Sequence, residues 1–196
     1  MKHRNAFTLI ELMIVVSIIA LLISIAVPSL SKARIQAKRT ACAARLHQIG
    51  VALITYMQET RDRLPHVSYM PSLGPAPLTT PNPVYIADVL APQLKGEDKV
   101  FQCPEDRPNR TDRPAPNTGL SYFETERSSY EFRIFLSGYT PIEFASRRFR
   151  GGPSQSSTPP NKIWVMRDYA NFHGKSGKSG ARRYLYIDGH VTDYEN

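Results

Sequence analysis

Asp168, His173, Asp188, His190 and Asp193 crowd the C-terminal region of this chain and are the side chains best suited to metal or acid–base chemistry. Oxygen-rich groups of this kind can hold calcium, and two histidines among acids can hold zinc. Their spacing matches no ligand signature. Asp188 also has a turn role as part of Asp188-Gly189, with His190 beside it, so a hydrogen-bonded turn network accounts for these residues better than a metal does. Two cysteines, Cys42 and Cys103, lie far apart with no CxxC, which excludes a zinc site of the usual spacing. They form either a disulfide across a loop of about 60 residues or a pair of buried thiols. The loop Gly174-Lys175-Ser176-Gly177-Lys178-Ser179-Gly180 has no glycine at position 172, where a phosphate-binding loop requires one, and reads as a surface loop. Ser, His and Asp occur in no catalytic spacing and there is no nucleophile elbow, so an enzyme is not expected.

The remaining chemically unusual residue is Glu11. It sits in Leu9–Val27, a run of 19 residues interrupted only by Glu11, Ser17 and Ser24. A helix of about 20 residues crosses the ~30 Å hydrocarbon core of a bilayer. An acid at such a depth costs roughly 2.5–3.5 kcal/mol unless it is paired. A signal peptide cut after Ser24-Ile25-Ala26 would place Glu11 at the head of an overlong apolar region. A plain membrane anchor would leave the acid unexplained.

Met1-Lys2-His3-Arg4-Asn5-Ala6 followed by Phe7-Thr8-Leu9-Ile10-Glu11 and the apolar run resembles the N-terminus of type IV pilins and type II secretion pseudopilins. The resemblance implies that a prepilin peptidase cuts between Ala6 and Phe7 and methylates the new amine, although the family usually has Gly before the cut. Glu11 then becomes the fifth residue of the mature chain. Its implied role is assembly: it pairs with the Phe7 amine of a neighbouring subunit, and the attraction in a low-dielectric medium sets the axial register. The implied function is a structural pseudopilin of a type II secretion pseudopilus that serves protein export. The alternatives are a type IV pilus subunit or a membrane-tethered extracytoplasmic binding module.

The implied partners are the prepilin peptidase, other pilin-like subunits in a homo-oligomeric filament and inner-membrane lipid. The implied place is the bacterial inner membrane, crossed once, with a cytoplasmic leader and a periplasmic head. Lys32, Arg34, Lys38 and Arg39 after the span, against Lys2 and Arg4 before it, favour the opposite orientation by charge count alone. Calcium is raised as a cofactor because type II major pseudopilins bind it in a C-terminal loop. The end of the chain also resembles a subset of prepilin-like proteins with His, nine residues, then Asp-Gly and His-Val; here fourteen residues separate His173 from Asp188-Gly189-His190-Val191.

The elements that must position these residues follow from periodicity. The net charge is +8, but no nucleic-acid-binding motif accompanies it, so no nucleic-acid partner is expected. The resemblance implies that residues 1–6 are a leader; 7–28 are expected to be the membrane part of one long helix, 29–64 its amphipathic part, and 65–196 the head. Pro28 is expected to kink the helix rather than end it. Ile35, Cys42, Leu46, Ile49, Leu53 and Tyr56 form one apolar stripe along it. Proline-rich loops are expected over 67–83, 102–119 and 147–160, with a short helix near 85–94. Strands are expected over 129–136, with Tyr130, Phe132, Ile134 and Leu136 on one face and Glu131 and Arg133 on the other, and over 163–167. A hairpin over 183–194 turns on Asp188-Gly189 in a two-residue type I′ turn. The resulting fold class is α+β: a long N-terminal membrane-spanning helix packed on a small antiparallel sheet head with long loops.

Overall fold

The computed structural model describes residues 8–67, 84–108, 119–146, 159–174, 178 and 180–193. It divides into two units, residues 1–38 and 39–196. The expected loops over 68–83, 109–118 and 147–158, and most of the Gly-Lys-Ser loop, lie outside the described residues, as do Ala6 and Phe7.

Helix α1 runs Leu9–Glu59 and contains Pro28. The first unit holds its apolar part, whose large side chains from Leu9 to Val27 are exposed. Among the described residues this is the one helix long and apolar enough to cross a membrane. The helix closes at Glu59, and Arg61 and Asp62 both take positive φ; the Asp62 amide donates back to the Met57 carbonyl at 2.8 Å. That left-handed exit ends the helix before Pro65 is reached.

In the second unit, Cys42, Leu46, Ile49, Gly50 and Leu53 are the buried face of α1. Their spacing of four, three, one and three residues is that of a single helical face. The stripe expected from the sequence therefore begins at Cys42. Ile35 is exposed and belongs to the first unit. Tyr56 packs half-buried at the other end.

The sheet has four antiparallel strands in the order β1-β2-β3-β4: Tyr130–Phe132, Trp164–Asp168, Tyr184–Tyr186 and Val191–Thr192. β1 is shorter than the expected strand, because Ile134–Leu136 turns into a 3₁₀ helix. Its alternation also differs. Glu131 was expected on a polar face, but it is buried and ion-paired across the sheet with Arg167, its register partner. The Arg167 guanidinium lies 5.1 Å from the Trp164 ring, which covers its apolar side. Short helices α2 (Ile86–Leu90), α3 (Tyr122–Glu126) and α4 (Pro141–Ser146) complete the described head; only α2 was expected. α3 is set by a capping box, Ser121 with Glu124.

The β3–β4 hairpin is where expected, but its turn is different. Tyr186 and His190 close a three-residue loop: the Tyr186 amide donates to the His190 carbonyl, and the Gly189 amide donates to the Tyr186 carbonyl. Gly189 has φ of +88°, whereas Asp188 is not among the positive-φ residues. A type I′ turn needs positive φ at both central residues; a three-residue loop with one left-handed glycine does not. Gly189 has a second constraint, since a Cβ there would sit 3.2 Å from Ile54 Cδ1 of α1. On the facing side, a Cβ on Gly50 would come within 2.8 Å of Leu185 Cδ1 and 3.4 Å of Gly189 Cα. The two glycines let helix and hairpin approach closely.

Helix propensity alone favours replacing Gly50. Packing predicts the opposite for Gly50→Val, a loss of about 1–3 kcal/mol in denaturant unfolding of the purified protein followed by near-UV circular dichroism.

Candidate functional site

Two sites carry the chemically unusual residues, one in each unit. In the first, Thr8 is the N-cap of α1 and Glu11 the third helical residue. The Glu11 amide donates to Thr8 Oγ1 at 3.3 Å, and the Glu11 carboxylate accepts from the Thr8 amide at 2.9 Å and from Thr8 Oγ1 at 2.7 Å. This is a capping box, which satisfies orphan donors of the first turn reciprocally. A carboxylate here also faces the positive end of the helix dipole. The pattern Thr-x-x-Glu stands openly in the sequence and identifies Thr8 as a partner that consideration of Glu11 alone misses.

In the second unit the expected C-terminal residues separate into three groups. Asp188 and His190 pair with each other at 2.5 Å on the exposed hairpin, with the His190 ring stacked on Tyr186 at 4.3 Å. Asp193 pairs with Arg183 at 3.1 Å. Asp168 and His173 are buried, and the fold brings them together with Cys42 and Cys103 so that one ligand atom from each lies within 4.8 Å of the others. Cys42 Sγ is 3.4 Å from Asp168 Oδ1, His173 Nε2 is 3.4 Å from Asp168 Oδ2, and Cys103 Sγ is 3.7 Å from His173 Nε2. Neither thiol is bridged.

Each member of this cluster is held by its element. Cys42 is on the buried face of α1, and its sulfur meets the Tyr130 hydroxyl of β1 at 3.2 Å. Asp168 ends β2, where its Oδ2 accepts the Arg183 amide at 2.7 Å. Cys103 follows a 3₁₀ turn at Asp98–Phe101, and its amide donates to Ser129 Oγ at 2.9 Å. Two arginines of α1 reach into the same region. Arg45 donates to the Gln102 carbonyl, next to Cys103, and Arg39 donates to the carbonyl of His173 itself.

Asp106 fastens the Cys103 loop. It accepts from the Tyr122 amide at 3.0 Å, the Phe123 amide at 2.8 Å and the Ser129 hydroxyl at 2.7 Å, so one buried carboxylate caps α3 and holds the serine that holds Cys103. Sequence reading missed this residue. Asp106 lies three residues after Cys103 but reaches α3 across the undescribed segment.

Burial governs the protonation of the cluster. Desolvation pushes the fully buried Asp168 carboxyl up to about 7, against the pull of the Arg183 amide. The Cys42 thiol is raised as well, first by its hydrogen bond with Cys103, then by burial and the nearby Asp168 charge. Tyr130 is raised chiefly by desolvation. Burial thus keeps the Cys42 thiol and the Tyr130 hydroxyl protonated near neutral pH.

Residues 1–27 match the family model of the prokaryotic N-terminal methylation motif. The chain carries the type IV pilin and pseudopilin signal. No curated protein and no solved structure matches the chain. The pilin-type signal is a prepilin peptidase substrate signal, and with the apolar part of α1 it marks a membrane-anchored, pilin-like protein. The matched segment includes Ala6, Phe7, Thr8 and Glu11 and stops before Pro28. The buried cluster of the second unit lies outside it.

Asp106→Ala removes the acceptor for three donors. It is predicted to cost about 3 kcal/mol and to raise hydrogen exchange at the Tyr122 and Phe123 amides above that of the β2 amides.

Proposed function

We propose that this protein is a non-enzymatic structural subunit of a type II secretion pseudopilus, processed by prepilin peptidase and assembled with other pilin-like subunits to drive protein export. The observation that carries the reading is the N-terminal methylation motif with Glu11 in the first turn of a helix long enough to span a bilayer. Cutting between Ala6 and Phe7 would free an amine one residue before Thr8. Within a subunit, Glu11 caps its own helix. A neighbour's methylated Phe7 amine would bring a full positive charge to the same carboxylate, and in lipid that attraction is far less screened than in water. The helix cap fixes where the carboxylate sits, and the neighbouring amine selects the register at which subunits stack.

The leader remains cytoplasmic in this reading, the membrane is crossed once by α1, and residues 39–196 form the periplasmic head. The charges after the span, which favour the reverse orientation, are overridden by the export route of the prepilin signal. A type IV pilus subunit shares every residue of this argument, and the two roles part at the phenotype. Deleting the gene from its native host is expected to abolish export of secreted proteins while leaving surface fibres intact; loss of fibres with normal export would support the pilus reading.

Glu11→Ala is predicted to leave processing unchanged while reducing crosslinked multimers in the membrane by at least about tenfold, equivalent to about 1.4 kcal/mol. Undiminished multimers of a correctly processed variant would show that Glu11 does not set the register.

A further inference from the structure

We propose that Cys42, Cys103, Asp168 and His173 form a closed, structural four-ligand site for one zinc ion in the head. Nothing in the N-terminal motif bears on these residues, so the inference stands apart from the assembly role.

Geometry supports it first. Zinc bond lengths of about 2.0–2.3 Å put the ligand atoms of a tetrahedron roughly 3.3–3.8 Å apart. Cys42 Sγ lies 3.4 Å from Asp168 Oδ1, His173 Nε2 lies 3.4 Å from Asp168 Oδ2 and Cys103 Sγ lies 3.7 Å from His173 Nε2, and one ligand atom from each residue lies within 4.8 Å of the other three, so small side-chain shifts would bring the set to tetrahedral spacing. The four groups converge although they are spread along the chain from Cys42 to His173.

Donor chemistry selects the ion. Two sulfurs, one imidazole nitrogen and one carboxylate oxygen form a soft-to-borderline set that suits zinc. Calcium and magnesium take oxygen ligands, and two cysteines would be out of place in either site. Binding displaces the thiol protons of Cys42 and Cys103. Two thiolates and a carboxylate then face a dication, leaving one net negative charge, beside which the Tyr130 hydroxyl lies 3.2 Å from the Cys42 sulfur. The supporting contacts have the character of an outer shell around a metal. The Arg183 amide orients Asp168, Ser129 orients the Cys103 backbone, and Arg39 and Arg45 hold the carbonyls of His173 and Gln102.

A Cys42–Cys103 disulfide is the competing use of the same sulfurs. It would occupy two of the four groups and leave Asp168 and His173, both buried, to pair with each other. The metal uses all four. With every position filled by protein and the site closed to solvent, it cross-links α1, the Cys103 loop and the end of β2; a catalytic zinc would need an open position.

The test uses the full-length protein purified in detergent, stripped with a chelator under reducing conditions and then given zinc or cobalt alone. The expected result is about one zinc per chain, and with cobalt a tetrahedral visible spectrum with a thiolate-to-cobalt charge-transfer band. Cys103→Ser and His173→Gln are expected to weaken zinc binding by at least about tenfold. The wild-type cobalt spectrum does not depend on whether those variants fold. A reduced wild-type chain that takes up no metal would overturn the proposal. So would cobalt bound without the thiolate band, or protein isolated from its native membrane with Cys42 and Cys103 quantitatively disulfide-bonded.

Discussion

A carboxylate at the first turn of an apolar, membrane-length helix has to be paired, and the start of α1 is organised around that requirement. Thr8 and Glu11 meet it inside one chain by capping α1. The cap exposes the carboxylate at the helix start, where the dipole favours it, rather than deeper in the span. Capping also keeps the acid available. A carboxylate has room for about four hydrogen bonds, and Glu11 Oε2 takes both of those from Thr8. The carboxylate therefore keeps capacity for a further donor, such as the amine of the proposed assembly, while the cap stays intact.

The head poses the same problem in a different form. Asp168 is fully buried, and so is Glu131, one position along the neighbouring strand from Tyr130, the residue opposite Asp168. Glu131 is answered within the sheet by Arg167. Asp168 has no such direct partner arginine among the described residues, though the charges of Arg183 and Arg182 favour its ionised form; it faces two sulfurs, an imidazole and a backbone amide. Burying an acid among groups that are themselves potential anions is costly without a cation. The close seating of helix on hairpin through Gly50 and Gly189 and the anchoring of Cys103 through Asp106 and Ser129 fix the frame in which these groups meet.

What the sequence made legible was local. The apolar run, the strand near Trp164 and the hairpin near Asp188-Gly189 follow from composition and short-range alternation. The helical face was readable from Cys42 onward, because four buried positions repeat at helical spacing; Ile35 continues the spacing but not the burial. Errors arose where tertiary packing overrides a local rule. Glu131 alternates as a surface residue would, yet Arg167 across the sheet makes its burial tolerable. The Asp-Gly pair suggested a two-residue turn, yet the approach of Ile54 and the register of β3 with β4 accommodate a third residue. Asp168 and His173 were visible as chemistry-capable, but no spacing rule could join them to Cys42 and Cys103, since the grouping exists only once α1, the Cys103 loop and β2 have packed. Thr8 was the avoidable omission, because its box with Glu11 is a four-residue pattern.

The assembly account rests on a new N-terminus being made one residue before Thr8. Mass analysis of the N-terminal peptide, from protein isolated from membranes that contain prepilin peptidase, tests it most directly. The account predicts a mature chain beginning at Phe7 with a methylated amine. A chain that retains Met1 through Ala6, or that begins after Ala26, would contradict it.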